Sequence, residues 1–253
     1  MKKKFLSLTL AIGLLATAAI GGTLAYFTDT DSAENVMTTG SVNILQNEKD
    51  RYGADFKDNV ALMPMVDARA QGEADVVDGY FNTKMNNVVD KIVTVTNEAA
   101  AGAVNKDAYV RTILAFETNT EYQAGTNIVL RNGKAIFDAY IGTLGDFKLL
   151  DRDTVKINGV EYVLAVKVYA DPLAPANTTA PSLKQIFLSP DANNEVETLF
   201  GDTYTILALS QGTQTAGFDS SEQALNAAFG ILDGEGKVTD EKLIEWLSAS
   251  QNG

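Results

Sequence analysis

The sequence predicts an all-β chain, an antiparallel β-sandwich with a long irregular insertion and two short helices near its C-terminus. Three observations predict it. Short runs rich in β-branched and aromatic residues recur along the chain, bounded by turn residues. Two Asn-Gly dipeptides sit between strand-like arms. Helices do not alternate regularly with the strands, as a parallel α/β sheet would require.

The strands follow in order. Val42-Asn43-Ile44-Leu45 is the first run, and Ile92 to Thr96 alternates and stops at Asn97. Tyr109 to Phe116 is the longest and most apolar run. Asn132-Gly133 joins Ile128–Arg131 to Lys134–Phe137, and Asn158-Gly159 joins Thr154–Ile157 to Val160–Val163. Both central residues of a two-residue hairpin turn need positive φ, which Asn and Gly tolerate, so each pair predicts a hairpin. Later runs are Leu164–Tyr169, Leu183–Leu188 and Tyr204–Leu209.

The helices are marked by their starts. Ser220-Ser221-Glu222-Gln223 reads as a capping box leading into an apolar stretch that ends at Gly230. Thr239 or Asp240 caps a second helix whose Leu243, Ile244, Trp246 and Leu247 form a core-facing stripe. Residues 48–90 have no clean period and are rich in Asp, Asn, Gly and Ala; Leu62-Met63 and Tyr80-Phe81 are the positions that order this excursion. No linker or repeat divides residues 26–253, which read as one domain, with 220–250 as its helical segment.

The N-terminus carries a separate signal. Lys2-Lys3-Lys4, an uncharged run from Phe5 to Ile20, and the small residues before Tyr26 describe a secretory signal peptide over residues 1–25. A retained membrane anchor is the competing reading, but the run falls short of the roughly 20 apolar residues a span needs, and Gly21-Gly22 interrupts it. Thr23-x-Ala25 presents small side chains to a peptidase, placing the cut between Ala25 and Tyr26.

The chain has 20 basic and 33 acidic residues, a net charge of −13; losing residues 1–25 removes three lysines and no acid, giving −16. That charge repels phosphate backbones and excludes nucleic acid as a natural partner. Cysteine is absent, and a mature chain of about 228 residues can bury its core without disulfides.

Histidine is absent too. Ser-His-Asp and Cys-His nucleophiles and every His- or Cys-based zinc site are therefore excluded. Carboxylate chemistry and calcium remain. Asp233 to Glu241 contains the Gly-x-Val of an EF-hand loop, but setting Gly236 as the loop glycine puts Ile231 at the first ligand position and Lys242 at the last. Calcium needs oxygen at both. Asp29-x-Asp31-x-x-Glu34 and Asp151-Arg152-Asp153 read as solvated acidic segments. No catalytic, metal or cofactor residue is assigned.

Gly21-Gly22-Thr23-Leu24-Ala25-Tyr26-Phe27-Thr28-Asp29, followed by Thr39-Gly40-Ser41-Val42-Asn43-Ile44, resembles the TasA/camelysin (CalY) group of exported bacterial proteins, processed by the dedicated signal peptidase SipW. Lys91–Asn97 with Asp107-Ala108-Tyr109-Val110-Arg111-Thr112 is a second, looser echo. The resemblance implies a jelly-roll-like sandwich in the extracellular matrix or at the cell surface. Such subunits form biofilm fibres by donating a freed N-terminal strand to a neighbour. The partners implied are other copies of the chain and the signal peptidase, with room for accessory matrix or anchoring proteins.

Residues 26–38 are then the candidate donor strand. They contain no Pro or Gly and offer Tyr26, Phe27, Val36 and Met37 as pocket fillers. Asp29 and Asp31 on one face and Thr28, Thr30 and Ser32 on the other let the charges point outward. The bland alternative is a disordered leader. The metalloendopeptidase label of some camelysin-type relatives does not carry over to a chain without histidine. Two rival functions remain: a monomeric surface module binding calcium or polysaccharide, and a secreted hydrolase using paired carboxylates.

Overall fold

The computed structural model describes residues 25–27, 36–38, 42–57, 60–66, 71–74, 76–82, 87–104, 106–118, 129–131, 134–137, 141–150, 154–188 and 203–232. The early strands are β1 (Ala25–Phe27), β2 (Val36–Thr38), β3 (Ile44–Lys49), β4 (Val60–Leu62), β5 (Val76–Val77) and β6 (Tyr80–Phe81). Then come β7 (Val89–Asn97), β8 (Ala108–Thr118), β9 (Val129–Arg131), β10 (Lys134–Phe137), β11 (Ile141–Gly145) and β12 (Lys148–Leu149). The last are β13 (Val155–Ile157), β14 (Val160–Val168), β15 (Leu183–Leu188), β16 (Thr203–Tyr204) and β17 (Ile206–Gln214), followed by helix α1 (Ser221–Phe229).

The fold is all-β, with mostly antiparallel sheets. The first large sheet has the order β3-β7-β15-β11-β10-β9, and every neighbouring pair is antiparallel. The second has the order β12-β14-β8-β17-β2, with β13 also paired to β14; only β2 runs parallel to its neighbour. A three-stranded sheet, β16-β1-β4, and the β5-β6 hairpin complete the set.

Periodicity explains which faces are buried. Along β7 every second residue is buried, from Val89 through Lys91, Val93 and Val95 to Asn97, so only one face meets the core. β8 is buried at nearly every position because both faces of its sheet are covered. On the inner side Leu114, Phe116, Val163, Ala165, Ile206 and Ala208 of the second sheet form one cluster with Val93, Ile141, Leu183, Ile186 and Leu188 of the first. On the outer side Ile113, Ala115, Leu164, Val166, Leu207 and Leu209 lie beneath Leu150, Val155, Ile157 and Leu232. Farther along that face, α1 sets Ala224, Leu225 and Phe229 on Tyr109.

Local signals match the elements they mark. Asn158 (φ 50°) and Gly159 (φ 90°) close the β13–β14 hairpin, with Ile157 opposite Val160. Arg131 lies opposite Lys134 across the other predicted hairpin. Ser220 caps α1, its Oγ accepting from the Gln223 N–H at 3.2 Å, and Gly230 (φ 88°) ends it. The runs at Val160–Val163 and Leu164–Tyr169, read separately from sequence, belong to one strand, β14. The predicted helix after Thr239 lies outside the described residues.

The 48–90 excursion reaches both faces of the first sheet: Phe56 and Leu62 join the inner cluster, and Met65 and Phe81 pack on the outer face. Phe81 meets Phe187 edge-on at 4.8 Å, within a cluster that includes Met65 and Leu144. The Gln185 side chain accepts from the Phe81 N–H at 2.7 Å and donates to Asp90 at 2.8 Å. Burial alone would raise the Asp90 carboxyl, but the Arg51 and Gln185 hydrogen bonds hold it below its ordinary value. Met63, in contrast, is left 42% exposed.

Gly142 lies opposite Phe187, and a Cβ there would stand 2.1 Å from the ring's Cζ. The ring occupies the space a side chain would need. Gly142→Ala is therefore expected to destabilise the protein by about 1–3 kcal/mol, the usual cost of overpacking a filled core. Denaturant unfolding measures it; an unchanged midpoint would mean the ring swings aside freely.

Candidate functional site

The residues singled out at the N-terminus fall on two separate strands. Ala25 and Tyr26, which flank the predicted cut, lie with Phe27 in β1. There Ala25 stands opposite Leu62, Tyr26 opposite Ala61 and Thr203, and Phe27 opposite Val60 and Tyr204. β1 is thus the middle strand of its sheet. Val36 and Met37 lie in β2, parallel to β17, with Val36 opposite Ser210, Met37 opposite Gln211 and Thr38 opposite Gly212. Residues 28–35 between them, with Asp29, Asp31 and Glu34, lie outside the described residues. Tyr26 and Val36 belong to different sheets among the described residues.

The edge that receives β2 is anchored from behind by all three residues opposite it. Ser210 is fully buried and donates to Gln46 Oε1 of the first sheet at 2.7 Å, with Thr112 Oγ1 3.2 Å away. Gln211, also fully buried, accepts from Arg111 Nε at 2.6 Å. Gly212 leaves room for Ile44: a Cβ there would stand 2.8 Å from Ile44 Cδ1. Two polar side chains and one missing side chain therefore fix the position of this backbone, and only its outer ladder groups address β2.

A buried polar seam continues from Ser210 across the first sheet. Gln46 Nε2 donates to Glu48 Oε1 at 2.9 Å and reaches the Ala208 carbonyl at 3.3 Å. Glu48 pairs through its other oxygen with Lys91, whose side chain is 1% exposed and whose ammonium lies 4.4 Å from the centre of the Phe56 ring. Burial pushes Lys91 well below its ordinary pKa, and the adjacent carboxylate is the group that favours its charged form. The alternation of β7 hides this residue: Lys91 occupies an inward position between Val89 and Val93 where sequence reading expects an apolar side chain.

Beside β1, Glu117 clasps the joint between β16 and β17. Its Oε2 accepts from the Thr205 N–H at 2.7 Å, and its own N–H donates to the Thr205 carbonyl at 3.1 Å. Burial raises its carboxyl above the ordinary value, against the pull of the Thr205 hydrogen bonds. Among the described residues no group of three or more His, Cys, Asp or Glu side chains could hold a metal ion, and no helix is long and apolar enough to cross a membrane. The chain matches no family model, no curated protein and no solved structure.

Two outcomes follow from the charges. Removing one partner of the Lys91–Glu48 pair strands a buried charge, so Lys91→Met is expected to cost about 3–5 kcal/mol. The double change Lys91→Met with Glu48→Leu is expected to cost far less; equal losses in a double-mutant cycle would show that the two side chains act independently.

Glu117, with a folded-state pKa above its unfolded value, favours the folded state most at low pH and loses that contribution as pH rises through the folded pKa. Glu117→Gln is accordingly expected to raise the melting temperature at pH 7, with the gain shrinking as pH falls toward the ordinary carboxylate range. A gain that does not change with pH would contradict it.

Proposed function

We propose that the chain is an exported, non-enzymatic structural subunit that assembles head to tail into extracellular fibres, its N-terminal segment supplying strands to a neighbouring copy. The observation that supports this most is the placement of β1 and β2. Each is a three-residue strand held to the rest of the chain through backbone ladders, and each takes a ladder position that a second copy could fill equally well. Exchange would replace the intramolecular partner by an identical intermolecular one, a low-cost route to assembly. Because donor and acceptor surfaces differ, each addition leaves a new acceptor free, and growth continues as a filament. The two facing sheets would form the jelly-roll-like sandwich of the TasA/camelysin resemblance, which also supports export and processing after Ala25.

Processing and folding are linked in this reading. A peptidase needs its substrate extended and unpaired, whereas Ala25 and Tyr26 stand in the middle strand of a sheet. Cleavage therefore precedes the pairing of β1. While residues 1–25 remain attached, the segment is tethered and cannot reach another copy.

Light scattering and electron microscopy of protein beginning at Tyr26 test the assembly. Filaments are expected from this form, and none from a version beginning at Thr39 or from the double change Val36→Pro with Met37→Pro, which a paired strand does not accommodate. At a charge of −16 per subunit, added salt is expected to speed growth. If both forms stay monomeric across salt and pH at high concentration, the reading fails.

A further inference from the structure

A second feature lies on the opposite face of the same sheet and does not depend on how the N-terminal segment is used. Between β12, β14, α1 and Leu232 is a pocket of about 270 Å³. Leu150, Val166, Val168, Ile231 and Leu232 give it apolar walls, and Arg111, Lys148, Glu222 and Asn226 supply its polar lining. The buried cation Arg111, 2% exposed, is the unusual member.

The acceptors around the Arg111 guanidinium carry no charge. Its guanidinium donates to Gln211 Oε1 at 2.6 Å, Asn226 Oδ1 at 3.2 Å and the Gly230 carbonyl at 3.1 Å. All three acceptors are neutral. No carboxylate lies within ion-pair distance among the described residues, whereas Arg51, Lys91 and Lys167 each have one. Of the five guanidinium N–H groups, three are used. Gln211, by turning its oxygen to Arg111, leaves Nε2 buried with no hydrogen-bond partner.

The C-terminal pole of α1 carries roughly half a negative charge, which offsets only part of the guanidinium's. Burial lowers the Arg111 pKa to about 10, so the group is still a cation at neutral pH. A buried cation facing a cavity with spare donors calls for an acceptor that brings its own charge.

We infer that this pocket binds a small monocarboxylate with an apolar body, its carboxylate on Arg111 and its body against Leu150, Val166 and Leu232. The dimensions suit a compact ligand, since drug-sized sites begin near 300 Å³. The apolar walls offer no partners to the further oxygens of phosphate, so the site favours a carboxylate with an apolar body over phosphate.

Benzoate, the isosteric neutral amide benzamide, and inorganic phosphate test this by amide chemical-shift titration of the protein at neutral pH. Benzoate is expected to saturate, shifting resonances of Arg111, Asn226 and Leu232, and to bind at least about tenfold more tightly than benzamide, as a charge-assisted hydrogen bond requires. Phosphate is expected to leave these resonances unmoved. Arg111→Met could unfold the helix contact, so the control is Ile231→Trp: it fills the pocket from a residue 42% exposed and touches none of the Arg111 bonds. It is expected to abolish benzoate binding with the remaining spectrum retained. Equal response to benzoate and benzamide, no response to either, a matching response to phosphate, or undiminished binding by Ile231→Trp would each overturn the assignment.

Discussion

The constraint on which the structure depends is that its central sheet must be covered on both faces. β8, β14 and β17 carry apolar side chains upward and downward alike, so one packing partner cannot satisfy them. The first large sheet takes the inner face. The β13–β14 hairpin, Leu150, Leu232 and α1 take the outer one. The capped helix, placed after the last strand, acts as a lid over one end of an otherwise open apolar surface. The Arg111 hydrogen bond to the Gly230 carbonyl then fastens that lid where the helix ends.

Polar groups inside such a layer must find partners within it. Two routes meet on β17, one on each side of the sheet: Ser210 toward Gln46, and Gln211 toward Arg111. The distribution of charge follows. Lys91 and Arg111 are withdrawn into the interior, while the chain as a whole has 33 acids against 20 bases. Glu48 goes in with Lys91, so Arg111 is the buried cation without a carboxylate partner among the described residues, and the solvent-facing balance stays strongly acidic. With no histidine, its size changes little around neutral pH.

What could be read from sequence was what short-range chemistry determines. Both Asn-Gly turns, the Ser220 cap and the Gly230 stop each contain their reason within a few residues. β11 was not legible: Ile141-Gly142-Thr143-Leu144-Gly145 has two glycines, and the first is there for Phe187, a residue far along the chain. β17 was read only to Leu209 because Ser210-Gln211-Gly212 looks like a loop; these residues are a strand whose polar side chains have buried partners. In the 48–90 excursion, strands of two and three residues are too short to show a period. At the candidate site, Tyr26, Phe27, Val36 and Met37 were read as parts of one strand, whereas they lie on two, β1 and β2, in different sheets. Their ladder partners at Val60–Leu62, Thr203–Tyr204 and Ser210–Gly212 were not legible, since nothing local encodes a pairing across the whole chain.

The seam from Lys91 through Glu48, Gln46 and Ser210 to Thr112 has a mechanical meaning. Apolar faces pressed together resist separation but can glide, because one methyl group replaces another at little cost. Here a displacement of one sheet along the other by a single residue would break the Ser210–Gln46 bond and leave Gln46 Oε1 in a dry interior without the donor it has there. The two layers are thus pinned against lateral creep, and a load along the strands would meet stiff resistance until the pin yields.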